Sequence, residues 1–165
     1  MSDPGLGLMK DITHRFVETN GIRMLIAEAG AGSLVLLSHG FPEFWYSWRH
    51  QLVALAEAGF HAVAPDHRGF GRTDRPEEVA DYTMLHLVGD AVGLLEALGA
   101  ERAVVAGHDW GTPVAWNTAQ ITAPSMEQAL RIAGDGKPGR RVRLLFPIDP
   151  EVFFVPEDPG RRETA

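Results

Sequence analysis

The stretch Ala103-Val104-Val105-Ala106-Gly107-His108-Asp109-Trp110-Gly111-Thr112-Pro113 decides how this chain folds. Its first four residues form a short apolar run, the pattern of a strand buried on both faces. Pro113 fits the first turn of a helix, where its missing N–H costs nothing. Between the two lies Gly-x-Asp-x-Gly. A strand that passes straight into a helix must bend sharply, so small residues must stand two places either side of the apex. Glycine occupies both places, and the turn would push the Asp109 side chain out at the top of the sheet. Aspartate is also a good helix N-cap. The five-residue spacing alone divides about evenly between an exposed chemical group and a capping turn.

The sequence upstream repeats the same alternation. Arg15 to Thr19 and Ile22 to Ala29 flank Asn20-Gly21, a pair that favours a tight hairpin. Leu34-Val35-Leu36-Leu37 reads as a buried strand ending at His39-Gly40. Trp45 to Ala58 reads as a helix with Trp48, Leu52, Leu55 and Ala56 at helical spacing and Gly59 as its stop. His61 to Ala64 is the next strand, followed by a glycine-rich loop through Asp74. Met84 to Leu98 is a second helix, with Leu87, Val88, Ala91, Leu94, Leu95 and Leu98 on one stripe. The pattern predicts an α/β fold: an N-terminal hairpin, then parallel strands with helices on both faces and sites at the strands' C-terminal ends.

Composition divides the chain at residue 119. The formal charge of −7 arises within residues 1–119, and the last 46 residues balance seven basic against seven acidic groups. That tail holds six of the eleven prolines and no histidine, so residues 120–165 read as a divergent segment. Within it, Ser125 to Ala133 is expected as a short helix and Arg141 to Phe146 as a strand. Residues 147–165 are expected to be irregular. The acidic balance argues against nucleic acid or an anionic membrane surface as partner. No apolar run has the length of a membrane span, and the first residues lack a signal-peptide pattern. With no cysteine there is no thiol nucleophile or thiolate metal site. A cytoplasmic location and no cofactor are the expectations.

His39-Gly40-Phe41-Pro42 follows an earlier strand of the same sheet. Gly40 lets the chain turn without a Cβ clash, and Pro42 stiffens the loop. Together with Gly107-His108-Asp109-Trp110-Gly111, in this order, it resembles the epoxide hydrolases of the α/β-hydrolase fold. Asp66-His67-Arg68-Gly69-Phe70-Gly71 through Asp74-Arg75-Pro76 extends the resemblance, as does His86-Leu87-Val88-Gly89-Asp90. The match runs from about Phe16 to Ala119, the N-terminal half of the family's core, without its cap or its C-terminal strands.

The resemblance implies that Asp109 attacks an epoxide carbon of a small hydrophobic substrate to give an ester. It further implies that the backbone N–H groups of Phe41 and Trp110 form an oxyanion hole, the two residues also contacting substrate, and that water later releases a diol. In the family, two cap tyrosines hold the ring oxygen, and a late histidine oriented by an acid activates water. Here the last of seven histidines is His108, and the only tyrosines, Tyr46 and Tyr82, precede Asp109. Asp135 and Asp149 lie downstream without family-like context. The chain is therefore expected to be truncated or rearranged and catalytically incomplete.

Two other readings stay open. A haloalkane or haloacid dehalogenase also uses an aspartate nucleophile, and Trp110 suits a halide; Phe41, however, stands where related dehalogenases often carry asparagine. A non-catalytic remnant or binding module is the reading from a different class. Asp109 in place of serine disfavours an esterase. A sheet ending after its third parallel strand would leave a hydrophobic edge, predicting low stability or self-association unless the tail covers it.

The remaining polar residues are expected in supporting roles. His108 should point away from Asp109 and pack, and His39 should stabilise its loop. Asp66, Arg68 and Asp74 should organise theirs. Glu43 should brace the entrance helix. Trp45, Tyr46 and Trp48 suit a pocket lining or the core equally. Asp66-His67 near His61 lacks ligand geometry for a metal, and Gly69-x-Gly71 is too short for a dinucleotide fingerprint.

Overall fold

The computed structural model describes residues 11–122 together with the backbone of 141–145. Strand β1 (Thr13–Thr19) and strand β2 (Ile22–Ala29) form the expected hairpin. Asn20 and Gly21 both take positive φ, 45° and 77°, as a two-residue turn requires. Then follow β3 (Ser33–Ser38), α1 (Arg49–Glu57), β4 (Phe60–Pro65), α2 (Met84–Ala97), β5 (Arg102–Gly107), α3 (Gly111–Thr122) and β6 (Arg141–Leu145). The six strands lie in the order β1-β2-β4-β3-β5-β6. β2 runs antiparallel to β1 and β4, whereas β4, β3, β5 and β6 are mutually parallel along the ladder.

Because side chains alternate across a strand, each central strand divides its apolar residues between two faces. Leu34 and Leu36 of β3 join Met24, Ile26, Val63, Val105, Leu94 and Val114 under α2 and α3. Val35 and Leu37 point the other way, joining Ala27, Ala62, Ala64, Leu52 and Val53 under α1. Leu52 and Leu94 are fully buried, each contributing about 1.5–3 kcal/mol relative to exposure. The stripe predicted for α2 is the one that buries Val88, Ala91, Leu94 and Leu95.

Two elements differ from the sequence expectations. The segment expected to start a long helix at Trp45 begins instead as a 3-10 turn, Trp45–Trp48, before α1. The strand expected over Arg141–Phe146 is β6, which lies parallel to β5 from Arg102↔Arg141 to Ala106↔Leu145, so the tail pairs the edge that would otherwise be bare. The second difference is that α3 runs through the compositional change at residue 119. The helix expected over Ser125–Ala133, Phe146 and the irregular segment 147–165 lie outside the described residues. No described helix is long and apolar enough to cross a membrane.

Candidate active site

The C-terminal ends of β3, β4 and β5 carry the loops 39–44, 66–76 and 108–110, so residues far apart in sequence meet above one edge of the sheet. Asp109 stands at the turn from β5 to α3 with φ of 50°, a left-handed conformation costly for a side-chain-bearing residue. The reason for both flanking glycines is steric. A Cβ on Gly111 would sit 2.6 Å from the Ser38 carbonyl carbon, and one on Gly107 would overlap the Gly111 carbonyl. The bend is closed by Gly111 N–H to His108 O at 2.8 Å and Thr112 N–H to Asp109 O at 3.0 Å.

The Asp109 carboxylate does not serve as a simple helix cap. Its Oδ1 accepts the Phe41 N–H at 2.9 Å, across a sequence separation of 68 residues. Gly40 makes this approach feasible, since a Cβ there would lie 2.7 Å from the Asp109 Cβ. The N–H groups of Phe41 and, second, of Trp110 hold the carboxyl below the usual aspartate range, because hydrogen bonds to the charged form favour it. The three residues singled out from sequence, Asp109, Phe41 and Trp110, are thus brought together. The Phe41 and Trp110 side chains are largely exposed, at 64% and 62%.

A family model for the alpha/beta hydrolase fold matches residues 33–130. The chain belongs to the α/β-hydrolase fold family. Within it, the similarity is to epoxide hydrolases. Epoxide hydrolase 3 of Siraitia grosvenorii is 56% identical over 108 residues, covering 66% of this chain and 34% of the relative. Epoxide hydrolase A of Mycobacterium tuberculosis is 53% identical over 113 residues, covering 67% and 35%. The crystal structure of an epoxide hydrolase from Vigna radiata aligns with a TM-score of 0.66 at 53% identity, covering 67% of this chain and 35% of its own. The chain therefore spans about a third of the length of these relatives.

In this α/β-hydrolase buried polar groups tie the loops after β3 and β4 to each other and to the hairpin. His39 is buried, with Nδ1 2.8 Å from Gly40 O and Nε2 accepting the His67 N–H at 2.9 Å. His67 Nε2 lies 2.8 Å from Ser38 Oγ. Burial pushes the His67 ring down to about 3 and lowers His39 as well. Arg68 and Asp90 form a buried bidentate pair, Nε to Oδ2 at 2.6 Å, and Arg68 also donates to Asp81 O at 2.6 Å. Asn20 from the hairpin turn donates to Asp90 Oδ1 at 2.8 Å. Asp74 Oδ2 accepts the Arg23 N–H at 2.8 Å. The loop-organising roles expected of His39, Arg68 and Asp74 all find partners.

Two assignments change hands. Glu43 was expected to brace the entrance helix, but its carboxylate lies 2.8 Å from His108 Nε2. The entrance turn is held by Asp66, whose Oδ1 accepts the Trp45 N–H at 2.8 Å while Oδ2 accepts the Arg72 N–H at 3.2 Å. His108 packs edge-on against Trp48 at 5.2 Å, in the structural role expected of it. Tyr82 is committed elsewhere, donating to Pro76 O at 2.7 Å. Trp45 and Trp48 pack against the core on the α1 side, while Tyr46 stays partly exposed. No group of three or more potential metal ligands exists among the described residues. The His39–His67–Ser38 chain went unread in the sequence, where its only local sign is two histidines each following a buried strand. Asp135 and Asp149 lie outside the described residues.

Proposed function

We propose that this chain carries the ester-forming half of an epoxide hydrolase site, with Asp109 as nucleophile and the N–H groups of Phe41 and Trp110 as the oxyanion hole. The observation that carries this reading is the Asp109 carboxylate at a left-handed turn, receiving the Phe41 N–H at 2.9 Å. An aspartate held ionised and presented above the sheet is prepared to attack a saturated, polarised carbon. One carboxylate oxygen forms a bond to an epoxide ring carbon as that carbon's bond to the ring oxygen breaks. The freed oxygen takes a proton from solvent or an acid, leaving a hydroxyalkyl ester on Asp109. Attack of water on the ester carbonyl would then place negative charge on the oxygen facing Phe41 and Trp110.

That second step needs a base. All seven histidines precede Asp109; of the two in the loops beside it, His39 is buried with both ring nitrogens bonded, and His108 packs its ring against Trp48. In the 165-residue chain alone the ester should therefore accumulate. Intact-mass measurement after incubation with a small hydrophobic epoxide should find one adduct per chain, absent in Asp109→Asn. Sustained diol release would show that a base is present after all. A folded chain that takes up no adduct would favour the binding-module reading, and halide release from an alkyl halide would favour dehalogenation.

Two lesser elements belong to the same proposal. A cytoplasmic location fits a chain with no cysteine to oxidise, and cell fractionation tests it. Self-association would run through the outer edge of β6, which no described residue pairs. Light scattering across a concentration series that shows only monomer would remove that element.

A further inference from the structure

The peptide joining Gly40 to Phe41 is held at both ends. Its carbonyl oxygen lies 2.8 Å from His39 Nδ1 and accepts the Glu43 N–H at 3.0 Å. Its N–H donates to Asp109 Oδ1 at 2.9 Å. In a planar trans peptide the C=O and N–H point in opposite directions, so fixing one aims the other. The far side of the His39 ring determines which nitrogen bears its proton. Nε2 faces the His67 backbone N–H at 2.9 Å, and a backbone amide can only donate. Nε2 is therefore bare, and the neutral ring keeps its proton on Nδ1, where it donates to Gly40 O. His39 is only 1% exposed and lies against His67 and Phe70, with ring centroids 4.3 and 5.3 Å away.

We propose that His39 is a positioning residue, which as its neutral Nδ1–H tautomer aims the Phe41 N–H at the Asp109 carboxylate. The functional meaning rests on the reading of Asp109 and Phe41 given above, but the aim itself is measurable without any reaction. An unprotonated Nε2 holding the loop after β4, and a protonated Nδ1 holding the loop after β3, make one ring the tie between them. Either protonating the ring or moving its proton to Nε2 would set two donors face to face at His67, and the tautomer shift would also release Gly40.

Two amides separate the two jobs of the ring. Asparagine can place an amide N–H near Nδ1, keeping the donor to Gly40 but losing the tie to His67. Glutamine can place its amide near Nε2, accepting from His67 but leaving Gly40 without the side-chain donor. The test is carboxyl NMR titration of Asp109, with the Phe41 amide shift followed in the same samples. In folded His39→Gln the Asp109 midpoint should move up and the Phe41 amide should cease to follow it. In His39→Asn both should stay close to the unsubstituted chain. An unmoved Asp109 midpoint in folded His39→Gln overturns the proposal. Should that variant not fold, ring ¹⁵N spectra of the unsubstituted chain decide: a proton on Nδ1 supports it and a proton on Nε2 overturns it. Epoxide adduct formation is scored alongside. No adduct with a responsive Asp109 titration sinks the nucleophile reading and leaves the positioning role standing. Adduct formation with an unresponsive titration does the reverse.

Discussion

Replacing Gly111 by alanine sets local preference against tertiary packing, and the two predict opposite signs. Gly111 is the first residue of α3 and its φ is not positive. By helix propensity alone, Gly→Ala should stabilise by up to about 1 kcal/mol. The surroundings say otherwise. A Cβ at this position would lie 2.6 Å from the Ser38 carbonyl carbon and 2.7 Å from the His39 carbonyl oxygen, and would overlap the Ser38 oxygen. These gaps are roughly 1 Å short of an ordinary contact. The obstructing atoms are backbone at the end of β3, with no flexible side chain to move aside. The end of β3 and the start of α3 must separate, at a net cost of about 2–3 kcal/mol after the propensity gain. With a urea slope of about 2 kcal/mol/M, the unfolding midpoint should fall by about 1–1.5 M. Because Ser38 leads directly into the loop bearing Phe41, the Phe41 amide should also lose its bond to Asp109. Gly99→Ala is the control: it has open space but a φ of 66°, so only backbone strain of about 1 kcal/mol applies. A Gly111→Ala midpoint equal to or above that of the unsubstituted chain would refute the steric reasoning.

Adduct formation at Asp109 should persist to pH values below the ordinary aspartate range and fall only as pH drops through the lowered carboxyl pKa; an inflection at or above the ordinary value would contradict the two N–H contacts. His67 gives a stability signature of defined sign. The unfolded ring gains a proton as pH falls through 6.5, whereas the folded one resists until about 3. Its neutral burial is therefore fully tolerated above pH 6.5, and stability declines from there toward pH 3. Urea midpoints at pH 7 and 5 should differ less in His67→Gln than in the unsubstituted chain. Arg68→Met strands the buried Asp90 carboxylate and should cost about 3–5 kcal/mol. Much of that loss should return when Asp90 is replaced by leucine as well, which a double-mutant cycle of urea melts would measure.

The sequence by itself determined the alternation of strands and helices, the Asn20-Gly21 hairpin, and which turns would rise above the sheet. These are local matters. Apolar runs such as Leu34–Leu37 report burial, and Gly107 and Gly111 report a bend that no side chain permits. The position of Asp109 was equally legible, because strand, glycine, apex, glycine and helix occupy consecutive residues. Its partner was not derivable from that segment alone. Many backbone N–H groups are alike in sequence, and the one at Phe41 reaches Asp109 because β3 lies beside β5, with Ser38 paired to Gly107.

The same reason explains the exchanged assignments. Glu43 and Asp66 are both plausible braces for the entrance turn, and neither can be preferred until the loops after β3 and β4 are in place. Packing then gives Asp66 the Trp45 N–H and leaves Glu43 to His108. It also lays β6 against β5, a pairing with no trace in the tail's composition. Local geometry thus set the bend at Asp109, while its hydrogen bonds and the buried histidine contacts depend on segments tens of residues apart. A short-range pattern specifies where the chain must bend; only the assembled sheet determines which donors and acceptors are left facing one another.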